Sequence, residues 1–225
     1  MGKPTIKAAI FDVDGCLLQA YDEHGRYLWS RTAKQDLGLT GQHFARIFSK
    51  EWAELIRGQK SLENHLDTIF QEEIFQSLNI TPAQYIQYWL MMDSNINKTV
   101  LQIIQKIKVP CYLATNQEAV RGAHIVSNLG PYFEGCFASH AVGFAKPEQE
   151  FFKHIERTLN LHSDQLLLID DMADCTNGAL RCGWSVFHYQ NHPDQLVQFL
   201  KHENILGSAV AEGTGATLKH GNMLV

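Results

Sequence analysis

The sequence predicts an α/β fold: a doubly wound parallel sheet, with a helical subdomain inserted behind the first strand. Three observations predict it. From about residue 98 onward, short apolar runs alternate with longer helical patterns, as strand–helix–strand units do. Most of these runs lack polar alternation, which is the mark of a strand covered on both faces. Between the first run and the rest, residues 19–97 carry helical patterns only.

Taken in order, strands are predicted at residues 8–11, 109–114, 135–138, 166–169 and 185–187. Pro110 places the start of its strand, because proline cannot donate to the ladder. Helices are predicted at 27–37, 41–57, 61–78 and 81–92 in the insertion, and at 117–129 and 147–159 in the core. Thr81-Pro82 is a favourable opening, with threonine as N-cap and proline at the first helical position. Pro147 is expected early in its helix, followed by Phe151, Phe152, Ile155 and Leu159 at helical spacing. Gly130-Pro131 marks a helix stop. The last stretch, 207–225, is rich in Gly, Ala and Thr and reads as a loose tail or a short terminal strand.

A chain of 225 residues with 45% hydrophobic and 19% charged side chains is long enough for a core plus a smaller insert. The net charge of −5 gives no overall attraction to nucleic acid or anionic lipid. Five scattered cysteines without a Cys-x-x-Cys pair suit neither a disulfide framework nor a zinc site. No apolar run reaches the length of a membrane span, and the N-terminal run is too short for a signal peptide. The expectation is a cytoplasmic protein without nucleic-acid or membrane partners.

The chemistry gathers at predicted strand ends. The first strand leads directly into Asp12-Val13-Asp14-Gly15, and carboxylates at i and i+2 fall on one side of an extended chain. Like charges so close need a counter-ion, and a hard divalent cation suits them. Asp14-Gly15 alone is equally well a turn. Asp170-Asp171 ends the 166–169 run, either as a second acidic pair at the site or as a solvated turn. Thr115-Asn116 follows the second strand. A hydroxyl and backbone N–H groups there would bind an anion, while either residue would also serve as a helix N-cap. Lys146-Pro147 would project an ammonium toward an anion, although a lone lysine is usually surface decoration.

Together these stretches form an ordered set. Phe11-Asp12-Val13-Asp14-Gly15, Ala114-Thr115-Asn116, Ala145-Lys146-Pro147 and Ile169-Asp170-Asp171 resemble, in type and order, the four motifs of the haloacid dehalogenase superfamily. The resemblance covers residues 5 to about 190. It implies a Rossmann-like core (1–18 and 98–206), a helical cap (19–97) and a C-terminal tail (207–225). It also implies a magnesium-dependent phosphatase acting on a small phosphorylated substrate, with the superfamily's small-phosphate phosphatases looking closest.

The resemblance assigns roles as well. Asp12 would be the nucleophile and Asp14 the acid and base. Mg²⁺ would be held by Asp12, the Asp14 main-chain carbonyl, Asp170 and Asp171. Thr115, Asn116 and Lys146 would hold the phosphoryl group. Dehalogenases of the superfamily lack the second acid, so Asp14 favours an oxygen leaving group. A sugar phosphomutase and a catalytically silent binding module remain as alternatives. Many relatives carry Asp or Asn where this chain has Cys175, and Asp174 lies one residue too early to replace it. Cys175 and Cys16 read as buried packing.

The cap carries no assigned site residue. Trp29, Phe44, Phe48 and Trp52 at helical spacing read as core before they read as pocket. Arg26, Arg46 and Arg57 read as solvated, and the eleven histidines form no ligand spacing.

Overall fold

The computed structural model describes residues 5–24, 26–93, 95–207 and 222–224. Its sheet contains β1 (Ala8–Phe11), β2 (Cys111–Thr115), β3 (Gly135–Ala138), β4 (Leu166–Asp170), β5 (Ser185–His188) and β6 (Asn222–Met223). The strand order is β5-β4-β1-β2-β3-β6, and every pairing is parallel. The chain builds outward from β1 through β2 to β3, then returns to the other side of β1 for β4. That reversal opens a crevice at the carboxyl ends of β1 and β4, where ligands bind in sheets of this kind. The terminal strand is real but short, and 208–221 lies outside the described residues.

Burial on both faces explains the apolar strands. Ala9, Phe11, Leu113, Leu167 and Ile169 face one cluster with α6 (Lys98–Ile104), α7 (Ala119–Leu129) and α11 (Pro193–His202). Ala8, Ile10, Leu166 and Leu168 face the opposite cluster with α9 (Gln149–Leu159) and α10 (Ala173–Arg181). The alternation is the pleat's own period of two, with both sides covered. The short α8 (Ser139–Val142) follows β3.

The inserted region has its own apolar cluster, which includes Trp29, Leu39, Ile47, Leu55, Leu66, Tyr85 and Trp89. Its helices are α1 (Ala33–Leu37), α2 (Gly41–Ile47), α3 (Trp52–Leu55), α4 (Leu62–Ile69) and α5 (Pro82–Met92). Three of the helices expected from sequence are therefore shorter or divided. In 27–37, a 3₁₀ turn at Leu28–Ser30 precedes α1; 41–57 divides into α2 and α3, and 61–78 into α4 and a turn at Glu73–Phe75. On one straight helix Phe70 and Phe75 would point about 140° apart. The break lets their rings stack at 4.8 Å. Thr81 opens α5 as expected: its hydroxyl accepts from Gln84 N–H, the Gln84 side chain accepts from Thr81 N–H, and Pro82 is the first helical residue.

Pro147 differs from expectation. The Lys146–Pro147 bond is cis, and α9 begins only at Gln149, behind Glu148 as N-cap. Asn116 fixes the chain there: its side chain accepts from Lys146 N–H at 2.8 Å and donates to Lys146 O at 2.7 Å. The turn this creates points Lys146 inward rather than along a helix. Among the described residues, no helix is long and apolar enough to cross a membrane.

Candidate active site

Sheet register brings the acids together. Phe11 lies level with Ile169 on β4, and Asp12 N–H donates to Ile169 O at 2.8 Å. Asp12 and Asp170 therefore leave adjacent parallel strands side by side, and Thr115 ends β2 on the other flank. Lys146 reaches in between them. Its Nζ donates to Asp12 Oδ1 at 2.7 Å, to Asp170 Oδ2 at 2.6 Å and to Ala114 O at 2.8 Å. All three ammonium donors are used, and the side chain is only 5% exposed. Burial disfavours this ammonium, but Asp12 and Asp170 outweigh it and hold the pKa above the ordinary lysine range.

Asp171 approaches from over the Gly15 turn. A Cβ on Gly15 would sit 2.0 Å from Asp171 Oδ2, and the Gly15 φ of +78° lies in the left-handed region. Only glycine meets both conditions without strain. One oxygen each of Asp12 and Asp171 lies within 4.8 Å of the other, together with the Cys16 sulfur. Burial, then Asp170, pushes Asp171 up to about 6. Burial also pushes Asp12 up, with Lys146 opposing and Asp170 and Asp14 adding repulsion. A hard cation relieves just these costs, and carboxylate oxygens are its preferred donors. The Cys16 thiol is buried and pushed well above its usual range by burial and by Asp12, so it remains a neutral filler. The donor set thus fits magnesium.

Asp14 stands at the other side of Asp12. Arg121 of α7 grips it with Nη1 to Oδ2 at 2.8 Å and Nη2 to Oδ1 at 2.6 Å, and Gln117 Nε2 donates to Oδ2 at 2.7 Å. Arg121 also pairs through Nε with Asp93 and lies over the Trp89 ring at 5.8 Å. It is 3% exposed. Burial opposes its charge, but Asp14 and Asp93 raise its pKa. Sequence reading passed over Arg121, Gln117 and Asp93.

The remaining expectations are placed as follows. Thr115 is buried at the rim of the same cavity. Neither it nor Asn116 caps α7; Glu118 does, accepting from Val120 N–H at 2.7 Å and Arg121 N–H at 2.6 Å. The Asn116 side chain is taken up by the Lys146 turn. Asp170 accepts Met172 N–H on its second oxygen at 2.8 Å. Asp174 is exposed, while Cys175 is buried beside the site with its thiol pushed up to about 12 by burial.

The cap supplies the roof. Tyr21, Tyr27, Trp29, Phe48, Trp52 and Trp89 line one cavity of about 200 Å³ with Asp12, Asp14, Thr115, Lys146 and Asp171. Trp29, Phe48 and Trp52, read from sequence as core before pocket, are both: they pack in the cap cluster and form cavity wall. Phe44 packs edge-on against Trp29 and does not line the cavity. The cap arginines are ion-paired: Arg26, exposed as expected, with Asp22, and the half-buried Arg46 and Arg57 with Glu72 and the core residue Glu148.

Comparison with known proteins gives a consistent picture. Residues 6–183 match the model of a family described as haloacid dehalogenase-like hydrolase. The sesquiterpene phosphatase astK of Aspergillus oryzae is 24% identical over 195 residues, covering 82% of this chain and 90% of its own. A HAD family enzyme of Bacteroides thetaiotaomicron, solved with magnesium and inorganic phosphate, aligns with a TM-score of 0.65 at 20% identity, covering 81% and 93% of the two chains. The 2-haloacid dehalogenase of Pseudomonas syringae aligns at 0.59 and 17% identity, covering 88% and 99%. At such identities the solved structures speak for the fold alone.

Proposed function

Because this chain belongs to the haloacid dehalogenase-like hydrolases, we propose that it is a magnesium-dependent phosphomonoesterase acting on a small phosphorylated metabolite. The observation that carries the reading is the pairing of two acids with separate partners. Asp12 is held by Lys146 as the nucleophile, and Asp14 is oriented beside it by Arg121 and Gln117, so that in its protonated form it serves as the acid. A halide leaving group needs no proton; an ester oxygen does.

Two displacements follow. Asp12 attacks phosphorus, the ester P–O bond breaks, and Asp14 gives its proton to the departing oxygen. Water then attacks phosphorus, Asp14 takes the water proton, and the bond from phosphorus to Asp12 breaks to release inorganic phosphate. Thr115, with the backbone N–H groups beside it, holds the phosphoryl oxygens, and Lys146, whose three donors are already taken, contributes its positive charge.

Asp12, the Asp14 main-chain carbonyl, Asp170 and Asp171 would hold magnesium. Asp170 already has one oxygen on Lys146 and the other on Met172 N–H, so Asp171 is the freer ligand. When bound, the ion offsets the repulsion between a carboxylate and a phosphate dianion. The test is phosphate release from a panel of phosphate esters, with magnesium and then with a chelator. Magnesium-dependent release supports the reading, and chloride release from a haloacid without phosphate release from any ester would refute it.

A further inference from the structure

We infer that the substrate's leaving group is apolar, so that the favoured substrate is the phosphate monoester of a hydrophobic alcohol or phenol. This rests on the phosphatase reading and concerns the half of the cavity that does not hold phosphate. Six rings, Tyr21, Tyr27, Trp29, Phe48, Trp52 and Trp89, line that half. They form a connected surface: Phe48 lies 4.6 Å from Trp52 and 6.1 Å from Trp89, and Tyr21 lies 4.9 Å from Tyr27, centroid to centroid.

The charged and amide groups that a sugar would need are committed elsewhere. Arg26, Arg46 and Arg57 are paired with Asp22, Glu72 and Glu148, and none of them lines the cavity. Arg121 and Gln117 do line it, but both are engaged by Asp14. Tyr21 and Tyr27 stand ring to ring, tilted by 41°. Hydroxyls of a polyol buried against these rings would lose water and gain few partners in return. A hydrocarbon would instead remove apolar surface from water on both sides.

A competing location lies beside it. A wider groove of about 500 Å³ continues past Tyr21 and Asp171, with Gln19, Asp22, His188 and Gln190 on its walls. A polar leaving group would lie there. The aromatic cavity is favoured because it contains Asp12, Asp14, Thr115 and Lys146 together, whereas the groove contains none of them.

The experiment uses the full chain with magnesium and measures phosphate release from five compounds. Naphthyl phosphate and a branched alkenyl phosphate represent flat and branched apolar groups. A hexose phosphate and glycerol phosphate represent polyols, and acetyl phosphate reports the chemistry with almost no leaving group. The expected result is that at least one apolar ester exceeds both polyols by roughly 100-fold in kcat/KM. The ratio of the two apolar arms then says which shape the wall prefers. Trp52→Ala should reduce that apolar ester about tenfold more than acetyl phosphate, and Phe48→Ala provides the same reading if the first variant does not fold. Polyol esters matching the apolar ones would overturn the leaving-group inference and leave the phosphatase reading standing. No release from any compound, acetyl phosphate included, would overturn both.

Discussion

Arg121 and Asp14 face each other fork to fork, with both guanidinium Nη atoms on both carboxylate oxygens at 2.6–2.8 Å. The contact joins α7 to the loop after β1, and Asp93 at the end of the cap's last helix holds the same guanidinium from the far side. The inserted region and the loop after β1 therefore meet on one side chain.

Arg121→Lys keeps the charge and loses the fork. Asp14 would no longer be held in one orientation, and proton transfer should suffer. Turnover of an alkyl phosphate is expected to fall about tenfold or more, with a much smaller loss for acetyl phosphate, whose leaving group needs little help. Steady-state kinetics on the two compounds give the ratio. Equal losses would mean that Arg121 only supports the fold.

Lys146→Met removes the ammonium between Asp12 and Asp170. Two buried carboxylates are then left facing each other, at a cost of about 3–5 kcal/mol. Denaturant unfolding should show this loss without magnesium and a partial recovery with it, since a divalent cation restores positive charge. Activity should be absent in both conditions.

Magnesium should stabilise the native chain by mass action, by about 2.7 kcal/mol at 100 times its Kd. Asp171→Asn should remove most of that gain, while the unfolding free energy without metal changes little. Thermal or denaturant titration at fixed magnesium checks both. A gain unchanged by Asp171→Asn would remove that residue from the ligand set.

Gly15→Ala combines a left-handed backbone with a Cβ placed 2.0 Å from Asp171 Oδ2. The strain should cost about 1–3 kcal/mol, and the displaced Asp171 should weaken magnesium binding. Calorimetric titration of the folded variant separates the second effect from the first.

Much of this was legible in the sequence, for physical reasons that differ by residue. Strands buried on both faces write themselves as apolar runs, so β1 through β4 could be found from those runs, while β5 is only half-buried. Asp12, Asp14, Asp170 and Asp171 stood out because acids directly after such runs have no packing purpose. Arg121 was invisible: it sits three residues past the Glu118 cap, in a pattern that any amphipathic helix would show. Only the sheet register, which places α7 above Asp14, reveals its use. The aromatic roof was hidden for a related reason. Trp29, Phe48, Trp52 and Trp89 are spaced as cap core and serve as cap core, and their second role depends on how the cap sits over the strand ends. Pro147 misled because Asn116, thirty residues before Lys146, holds the turn that delays α9.

The most direct test concerns the bond from Asp12 to phosphorus. Asp12→Asn should be folded, since Lys146 retains Asp170 as a partner, and inactive. In the native protein, rapid quench during turnover followed by borohydride reduction should convert the acyl-phosphate residue to homoserine, read by peptide mass spectrometry. Homoserine at position 12, absent without substrate, is the predicted result. Full activity in Asp12→Asn, or reduction confined to another residue during turnover, would contradict it.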